Sequence, residues 1–419
     1  MDNEVSNPTT RNPNSPLPEG WRWVRLGEVC EINPPRPKNF TRPADASTTF
    51  VPMAAIDEKV GVISNPEIRS YSEISRGYTY FEEGDVLFAK ITPCMQNGKH
   101  TIARSLIDGT GFGTTEFHVL RPNSEVMPEW IHFFIRQPWF LQEATAYFTG
   151  SVGQQRVPEN FLANYPIPLS PLPEQKRIVA RVQELMTEVE HARTACEAQL
   201  EAAKALPSAY LRQVFESEEA KKWEGRRLGE VCEIFSGSSA PQDEKYFENG
   251  KYPFVRVRDL GRYGRTNNLA NIKDCVNDSA MKKLNLVKAE KGTILFPKSG
   301  AAITTNNRAI LGIDAFIVSH LAALKSKEGI ADNHFIYYWL CLVDMVQYME
   351  NPGYPSLKLS TISRISIPMP PLNLQNRIAS ELKQKMAQAG KLKVAIEKQL
   401  EAINALPQAI LRKAFSGKL

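Results

Sequence analysis

The chain is written twice. Arg25-Leu26-Gly27-Glu28-Val29-Cys30-Glu31-Ile32 returns letter for letter as Arg227-Leu228-Gly229-Glu230-Val231-Cys232-Glu233-Ile234, and chance does not copy a run of that length. Near the other end of the unit, Gln199-Leu200-Glu201-Ala202 and Ala205-Leu206-Pro207 recur as Gln399-Leu400-Glu401-Ala402 and Ala405-Leu406-Pro407. Any fold must therefore hold two similar units of roughly 200 residues each, a period too long for a solenoid repeat. The length of 419 residues agrees, since single hydrophobic cores stop growing at roughly 250 to 300 residues.

Each unit divides again by periodicity. Residues 17–170 and 223–370 mix short apolar runs with Gly, Pro, Asn and Asp punctuation, which predicts two similar α/β (α+β) globular modules of short strands and a few helices. In both, a turn glycine feeds an apolar strand that ends in lysine: Gly84-Asp85-Val86-Leu87-Phe88-Ala89-Lys90 and Gly292-Thr293-Ile294-Leu295-Phe296-Pro297-Lys298. Residues 171–222 and 371–419 read instead as helical spacers. Pro173 with Glu174 suits a first helical turn, and Asn373 is a good N-cap in the other copy, because each helps with unpaired backbone donors or the positive dipole end.

Apolar residues then follow at steps of three and four. They are Ile178, Val182, Leu185, Val189, Ala192, Cys196, Leu200 and Ala203 in the first spacer, and Ile378, Leu382, Met386, Ala389, Leu392, Ile396, Leu400 and Ile403 in the second. This is a coiled-coil stripe. The opposite faces are charged, so each stripe needs a partner, and the nearest is the other copy. An antiparallel two-helix coiled-coil spacer, with the modules related by an internal pseudo-two-fold repeat, is the expected architecture. The blander alternative, charged faces around one ordinary helical core, is opposed by the duplicated register. Pro207 and Pro407 predict a kink or break after about 30 residues, followed by short apolar stubs ending at Phe215 and Phe415. About 32 helical residues at 1.5 Å rise give a rod of roughly 48 Å.

Composition excludes several classes. A hydrophobic fraction of 42% and a charged fraction of 23% are those of a soluble globular chain. No apolar run approaches the roughly 18 residues needed to span a bilayer. Residues 1–16 are polar and rich in Asn, Ser, Thr and Pro; they are expected to be a disordered tail, neither signal nor anchor, which fits a cytoplasmic protein. Cys30, Cys94, Cys196, Cys232, Cys275 and Cys341 are scattered singly, the pattern of reduced thiols rather than of structural zinc, which wants paired ligands. A net charge of +5 is compatible with a polyanionic partner without demanding one.

This layout resembles the specificity subunit of type I restriction-modification systems, over nearly everything after the N-terminal tail. The residues that carry the resemblance are Leu17-Pro18-Glu19-Gly20-Trp21 before Arg25-Leu26-Gly27-Glu28, and Ile167-Pro168-Leu169 with Pro171-Leu172-Pro173-Glu174-Gln175-Lys176-Arg177-Ile178. The second spacer departs mildly, with Asn373-Leu374-Gln375-Asn376-Arg377. The resemblance implies two target-recognition domains that read double-stranded DNA, and no catalytic residue, metal or cofactor in this chain. Methyl transfer to adenine, with S-adenosylmethionine, would fall to modification subunits, and ATP- and Mg-dependent translocation and cleavage to restriction subunits. Two spacer copies offer two equivalent surfaces, so two methyltransferase subunits are expected.

Some motifs point elsewhere and fail. Asn33-Pro34-Pro35-Arg36 resembles the Asn-Pro-Pro-aromatic motif that holds a flipped adenine, but arginine replaces the aromatic. Gly109-Thr110-Gly111-Phe112-Gly113, the one candidate for a cofactor turn, runs into a strand-like segment rather than a helix. His118 and His320, and His132 and His334, are read as matching fold positions, with no carboxylates spaced to converge on them. No Walker-type sequence is present for a nucleotide-driven motor.

Base reading needs side chains with paired donors or acceptors, and cations on phosphates to fix register. In the first module the candidates are Lys90, Gln96, Asn97, Lys99 and Arg104 after the buried strand, and Gln154, Gln155 and Arg156 in a late loop that starts at Gly150. In the second they are Arg256 and Arg258 with Arg262 and Arg265, then Lys298, Asn306, Asn307 and Arg308, and Lys358 in residues 353–358, the loop expected to match 150–156. Any one of them alone is as well explained as a solvated charge. Placed together in both modules, they predict a bipartite target. Gln154-Gln155-Arg156 set against Ser356-Leu357-Lys358 predicts that its halves are unlike, with centres about 34 to 36 Å apart.

Overall fold

The computed structural model describes residues 16–151, 154–263, 266–349 and 355–419. The tail expectation for residues 1–15, and those for Arg265 and Gly353, lie outside the described residues, as does the side chain of Arg262. Two compact units are present, one of Met1–Cys196 with Gln399–Leu419 and the other of Glu197–Lys398. The division falls inside both spacer helices. Each unit therefore holds one module, the start of the long helix that follows it and the end of the other long helix.

In the first unit the duplicated octapeptide forms the end of strand Arg22–Arg25, the one-turn helix Leu26–Val29 and strand Cys30–Ile32. Leu26, Val29 and Cys30 are buried, and Glu28 Oε2 accepts from Arg25 N at 2.9 Å. The second unit repeats this with Leu228, Val231 and Cys232 buried and Glu230 Oε2 accepting from Arg227 N at 3.1 Å. Leu26 N donates to Tyr165 O and Leu228 N to Ile365 O, both at 2.9 Å. A Cβ on Gly27 would stand 3.0 Å from Ala163 O, and one on Gly229 would stand 2.0 Å from Ser363 Oγ. The octapeptide was copied whole because its apolar, capping and glycine positions are all needed to seat one short helix on another.

Two four-stranded sheets build the first module. One is antiparallel, in the order Cys30–Ile32, Phe117–Pro122, Val86–Ala89 and His100–Ile102. The other runs Glu67–Ser70, Ser47–Val51, Thr110–Gly113 and Thr79–Glu82, with Ser47–Val51 parallel to Thr110–Gly113. The second module repeats the plan. Its counterpart sheets are Cys232–Ser236, Leu321–Ser326, Ile294–Pro297, Ala309–Leu311 and Thr266–Leu269, then Cys275–Val276, Tyr252–Val255, Ala315–Ile317 and Lys288–Ala289. Tyr252–Val255 is again parallel to Ala315–Ile317. Val86–Ala89 and Ile294–Pro297 are buried throughout, and the glycines before them, Gly84 and Gly292, have φ of 91° and 89°, a turn that only glycine enters without strain.

The spacers are the helices Leu172–Phe215 and Leu372–Ala414. In the first unit Ile178, Val179 and Val182 share a buried cluster with Leu411, Ala414 and Phe415, and Arg177 Nη2 donates to Leu419 O at 2.9 Å. In the second, Leu211 and Phe215 share one with Ile378, Ala379 and Leu382. The first turns of one helix thus lie beside the last turns of the other within each unit, as antiparallel pairing requires.

Two spacer expectations are corrected, a break at either proline and a packed Leu392. Both helices continue through Pro207 and Pro407. Each proline removes one backbone donor, but the turns beyond it are held by burial of Leu211 and Phe215, and of Leu411, Ala414 and Phe415. Leu392, expected on the packed stripe, is 46% exposed. The buried residues step by sevens, Leu382, Ala389, Ile396 and Ile403, matched by Val182, Cys196 and Ala203 with half-buried Val189. Leu185, Leu200 and Leu400 are half-buried beside them. Midway, a step of three from 189 or 389 leads off the seam. A step of four reaches Arg193, half-buried and ion-paired to Glu190 at 2.6 Å, and Lys393, 3.5 Å from Glu397.

Candidate nucleic-acid interface

The two polar segments expected to act together do meet, and they meet identically in both modules. After the buried strand of the first module, Lys90 N donates to Glu116 O at 2.9 Å and Lys90 O accepts from Val157 N at 2.9 Å. Thr92 N donates to Gln155 O at 3.0 Å, and Ile91 bridges Arg156. In the second module Lys298 N donates to His320 O at 2.9 Å and Lys298 O accepts from Leu357 N at 2.8 Å. Gly300 N donates to Pro355 O at 2.9 Å, and Ser299 bridges Ser356. One backbone ladder therefore ties the post-strand loop to the late loop twice.

The ladder also sets the true register between modules. Lys90 matches Lys298, but Arg156 matches Ser356 and Gln155 matches Pro355. Lys358 stands opposite Pro158, each being the N-cap residue of a short helix, rather than opposite Arg156. The histidine matches are corrected too. Phe88 pairs with His118 and Phe296 with Ala322, so His118 aligns with Ala322 and His320 with Glu116. Trp130 packs on Phe415 as Phe335 packs on Phe215, which aligns His334 with Glu129. His132 is buried and its pKa is pushed down to about 3 by that burial; burial likewise holds His100 well below the usual imidazole range. Both are uncharged core groups.

In the first module the side chains around the ladder form one charged cluster. Arg156 makes a two-pronged contact to Glu116, Nε to Oε2 at 2.8 Å and Nη2 to Oε1 at 2.7 Å. That contact lowers the Glu116 pKa. Lys90, half-buried, has its pKa lowered, by burial first and by the nearby Arg156 charge, against Glu116 and Glu159. Gln96 accepts from Thr92 Oγ1 at 2.6 Å, and Gln96, Asn97 and Gln154 are exposed.

Other candidates are placed elsewhere. Lys99 turns its ammonium onto the carbonyls of Met53 and Ile56, at 3.4 and 3.1 Å. Arg104 pairs with Glu129. Arg308, expected at the interface, is fully buried, lies 4.9 Å over the Phe296 ring and holds the carbonyl of Asn307 and the side chain of Asn306; it is a core residue. Arg256 and Arg258 converge on Asp274. Lys358 is exposed, while Lys298, Asn306 and Asn307 are half-buried.

The sequence reading passed over Gln175 and Gln375. Gln175 Nε2 donates to Glu125 O and Ser170 O, at 2.9 and 2.8 Å, and its Oε1 accepts from Met127 N at 2.9 Å. Gln375 repeats this on Ile330 O at 3.4 Å, Pro370 O at 2.8 Å and Asp332 N at 3.0 Å. Both are buried. They pin the first turn of each long helix to its module, and the available signal was that glutamine is kept while the residues on either side of it change, Glu174 to Leu374 and Lys176 to Asn376.

Among the described residues no group of His, Cys, Asp or Glu is placed to hold a metal ion, and no helix is long and apolar enough to cross a membrane. Burial raises the thiol pKa of Cys30 and Cys232 to about 12.

The profile described as type I restriction modification DNA specificity domain matches residues 18–201 and 220–402. The type I restriction enzyme EcoEI specificity subunit of Escherichia coli is 43% identical over 171 residues, which are 41% of this chain and 28% of that protein. The chain thus aligns with under a third of the length of this relative. The putative MjaX specificity subunit of Methanocaldococcus jannaschii is 25% identical over 96% of this chain and 94% of its own. Among solved structures, the HsdS subunit from Thermoanaerobacter tengcongensis superposes with a TM-score of 0.71 at 29% identity, covering 96% of this chain and 98% of that one. A chain solved to explain complex assembly and conformational transition of the type I R-M system gives 0.77 at 29%, covering 96% and 100%.

Proposed function

Since the chain belongs to the type I restriction-modification DNA specificity family, we propose that it is the subunit that reads DNA for such a complex. It binds a split, asymmetric sequence and directs adenine methylation and restriction by partner subunits, catalysing nothing by itself. The partners are two adenine methyltransferase subunits, which use S-adenosylmethionine, and restriction subunits, which use ATP and Mg; the setting is the cytoplasm.

One observation supports this above the rest. The ladder that joins the two loops is the same in both modules, while the side chains it displays differ: Ile91 against Ser299, Thr92 against Gly300, Gln155 against Pro355 and Arg156 against Ser356. A shared scaffold with unlike polar groups is what two different half-sites require, because each base pair offers its own donor and acceptor pattern in the major groove. Phosphate contacts from the lysines that follow the buried strands would fix register.

The test is reconstitution. The chain with its methyltransferase partner should bind and methylate one split sequence, and the mass of the complex should show two partners per chain. Incubated alone with DNA and labelled S-adenosylmethionine, the chain should transfer no methyl group; transfer without a partner would make it an enzyme in its own right. Binding that shows no preference among sequences, even with the partner present, would leave it an adaptor.

A further inference from the structure

We propose that the second module carries a phosphodiester clamp that the first module lacks, built from Arg256, Arg258 and Lys273 around Asp274. This rests on the DNA-reading function above and assigns it an electrostatic asymmetry. A groove of about 460 Å³ is lined by these residues with Phe247, Glu244 and Cys275, among others. Three cations thus face two carboxylates, an excess of positive charge in a concave site, where a backbone phosphate is favoured.

Asp274 holds the arginines side by side. Its Oδ2 lies 2.7 Å from Arg256 Nε and also pairs with Arg258 Nη2. One carboxylate between two guanidiniums cannot neutralise both, and each guanidinium carries five N–H donors, so others remain for a second anion. The Arg256 guanidinium also sits 5.0 Å from the Phe247 ring centre and 5.6 Å from that of Phe254, which fixes its plane. Arg258 is 58% exposed, and Lys273 is exposed.

One wall of the groove starts close to the backbone ladder of the second module. Val255, the last residue of its strand, accepts from Val318 N at 3.1 Å, and Lys298 N donates to His320 O at 2.9 Å. Arg256 and Lys298 therefore flank one short turn, residues 318–320. The first module has the same turn, where Thr114 N donates to Val51 O at 3.3 Å and Lys90 N to Glu116 O. Position for position, Pro52 stands there in place of Arg256 and Ala54 in place of Arg258. Glu67 lies opposite Phe50 as Asp274 lies opposite Phe254, but its arginine, Arg69, comes from its own strand and from the end away from this turn. The scaffold is shared and the cations are not.

The test uses the full chain with its methyltransferase partner and a duplex containing the methylated target. The slope of log affinity against log salt should fall by about 1 for Arg258→Gln and for Lys273→Gln, equally for target and non-target duplexes, with the bases read unchanged. In the same complex, maleimide labelling of Cys275, followed by peptide mass spectrometry, should be slowed several-fold by the duplex and not by inorganic phosphate. Unchanged slopes in both variants, or Cys275 labelled at the free rate with the duplex bound, overturn the clamp while leaving the DNA-reading function standing. Protection by phosphate equal to that by duplex would make the groove a small-anion site and also overturn it. Failure to bind any duplex would remove the reading function and the clamp together.

Discussion

Gln175 donates its side-chain amide to the carbonyl of Ser170 at 2.8 Å, joining the first turn of a long helix to the end of the strand before it. Gln375 makes the same bond to Pro370 at 2.8 Å. Replacing either with leucine keeps the volume and removes the amide that meets the buried carbonyl of Ser170 in one unit or of Pro370 in the other, together with the acceptor for the part-buried Met127 N or Asp332 N. Each change should cost about 1 to 3 kcal/mol, read as a lower urea midpoint. A loss of under a few tenths in both would mean that the glutamines are not the joint.

The seam of the spacer gives a sharper contrast. Ile396 is 6% exposed and Leu392 is 46% exposed on the same helix. Ile396→Ala should therefore cost about 2 to 4 kcal/mol, and Leu392→Ala about 0.5 kcal/mol or less, by urea unfolding. Equal losses would restore Leu392 to the packed stripe.

The contact between Glu116 and Arg156 makes a pH prediction. The folded pKa of Glu116 lies below its ordinary value of 4.5 because Arg156 hydrogen-bonds the carboxylate. A depressed carboxylate contributes stability that is fully present above its unfolded pKa and is lost as pH falls through the folded one. The difference in melting temperature between the native chain and Glu116→Gln should thus be constant near neutral pH and shrink below the ordinary value. A difference that grows on acidification contradicts the pairing.

Much of this was legible in the residues. The copied octapeptide, the glycine-led strands ending at Lys90 and Lys298 and the start of each spacer all rest on local rules: chain reversal, apolar spacing and capping. The failures share one cause, which is that a side chain's surroundings depend on distant chain. Arg308 follows two asparagines on a polar stretch, yet Phe296 and the carbonyl of Val343 draw it into the core. The loop register slipped by two residues because only the ladder from Ile91 to Arg156, and from Ser299 to Ser356, says which positions face each other. Leu392 fits an ideal helical stripe, but burial on this helix passes from Ala389 to Ile396 and leaves both Leu392 and Lys393 exposed.

Base reading in the first module should depend on residues that its counterpart does not share. Gln155→Ala should weaken discrimination at one half-site by about 1 to 3 kcal/mol per lost paired contact and leave the other half unchanged, measured by competition among duplexes with single substitutions. Relaxation of both halves together would show that the loop supports the whole complex rather than reading one side.

The most direct test of the central claim is to sequence the methylated adenines in cells that express the chain with its partner subunits. The account predicts one motif made of two unlike specific halves separated by a fixed run of unread bases. A single continuous palindrome, or two identical halves, would contradict it, because loops as different as Gln155-Arg156 and Pro355-Ser356 on one scaffold would then be reading the same bases.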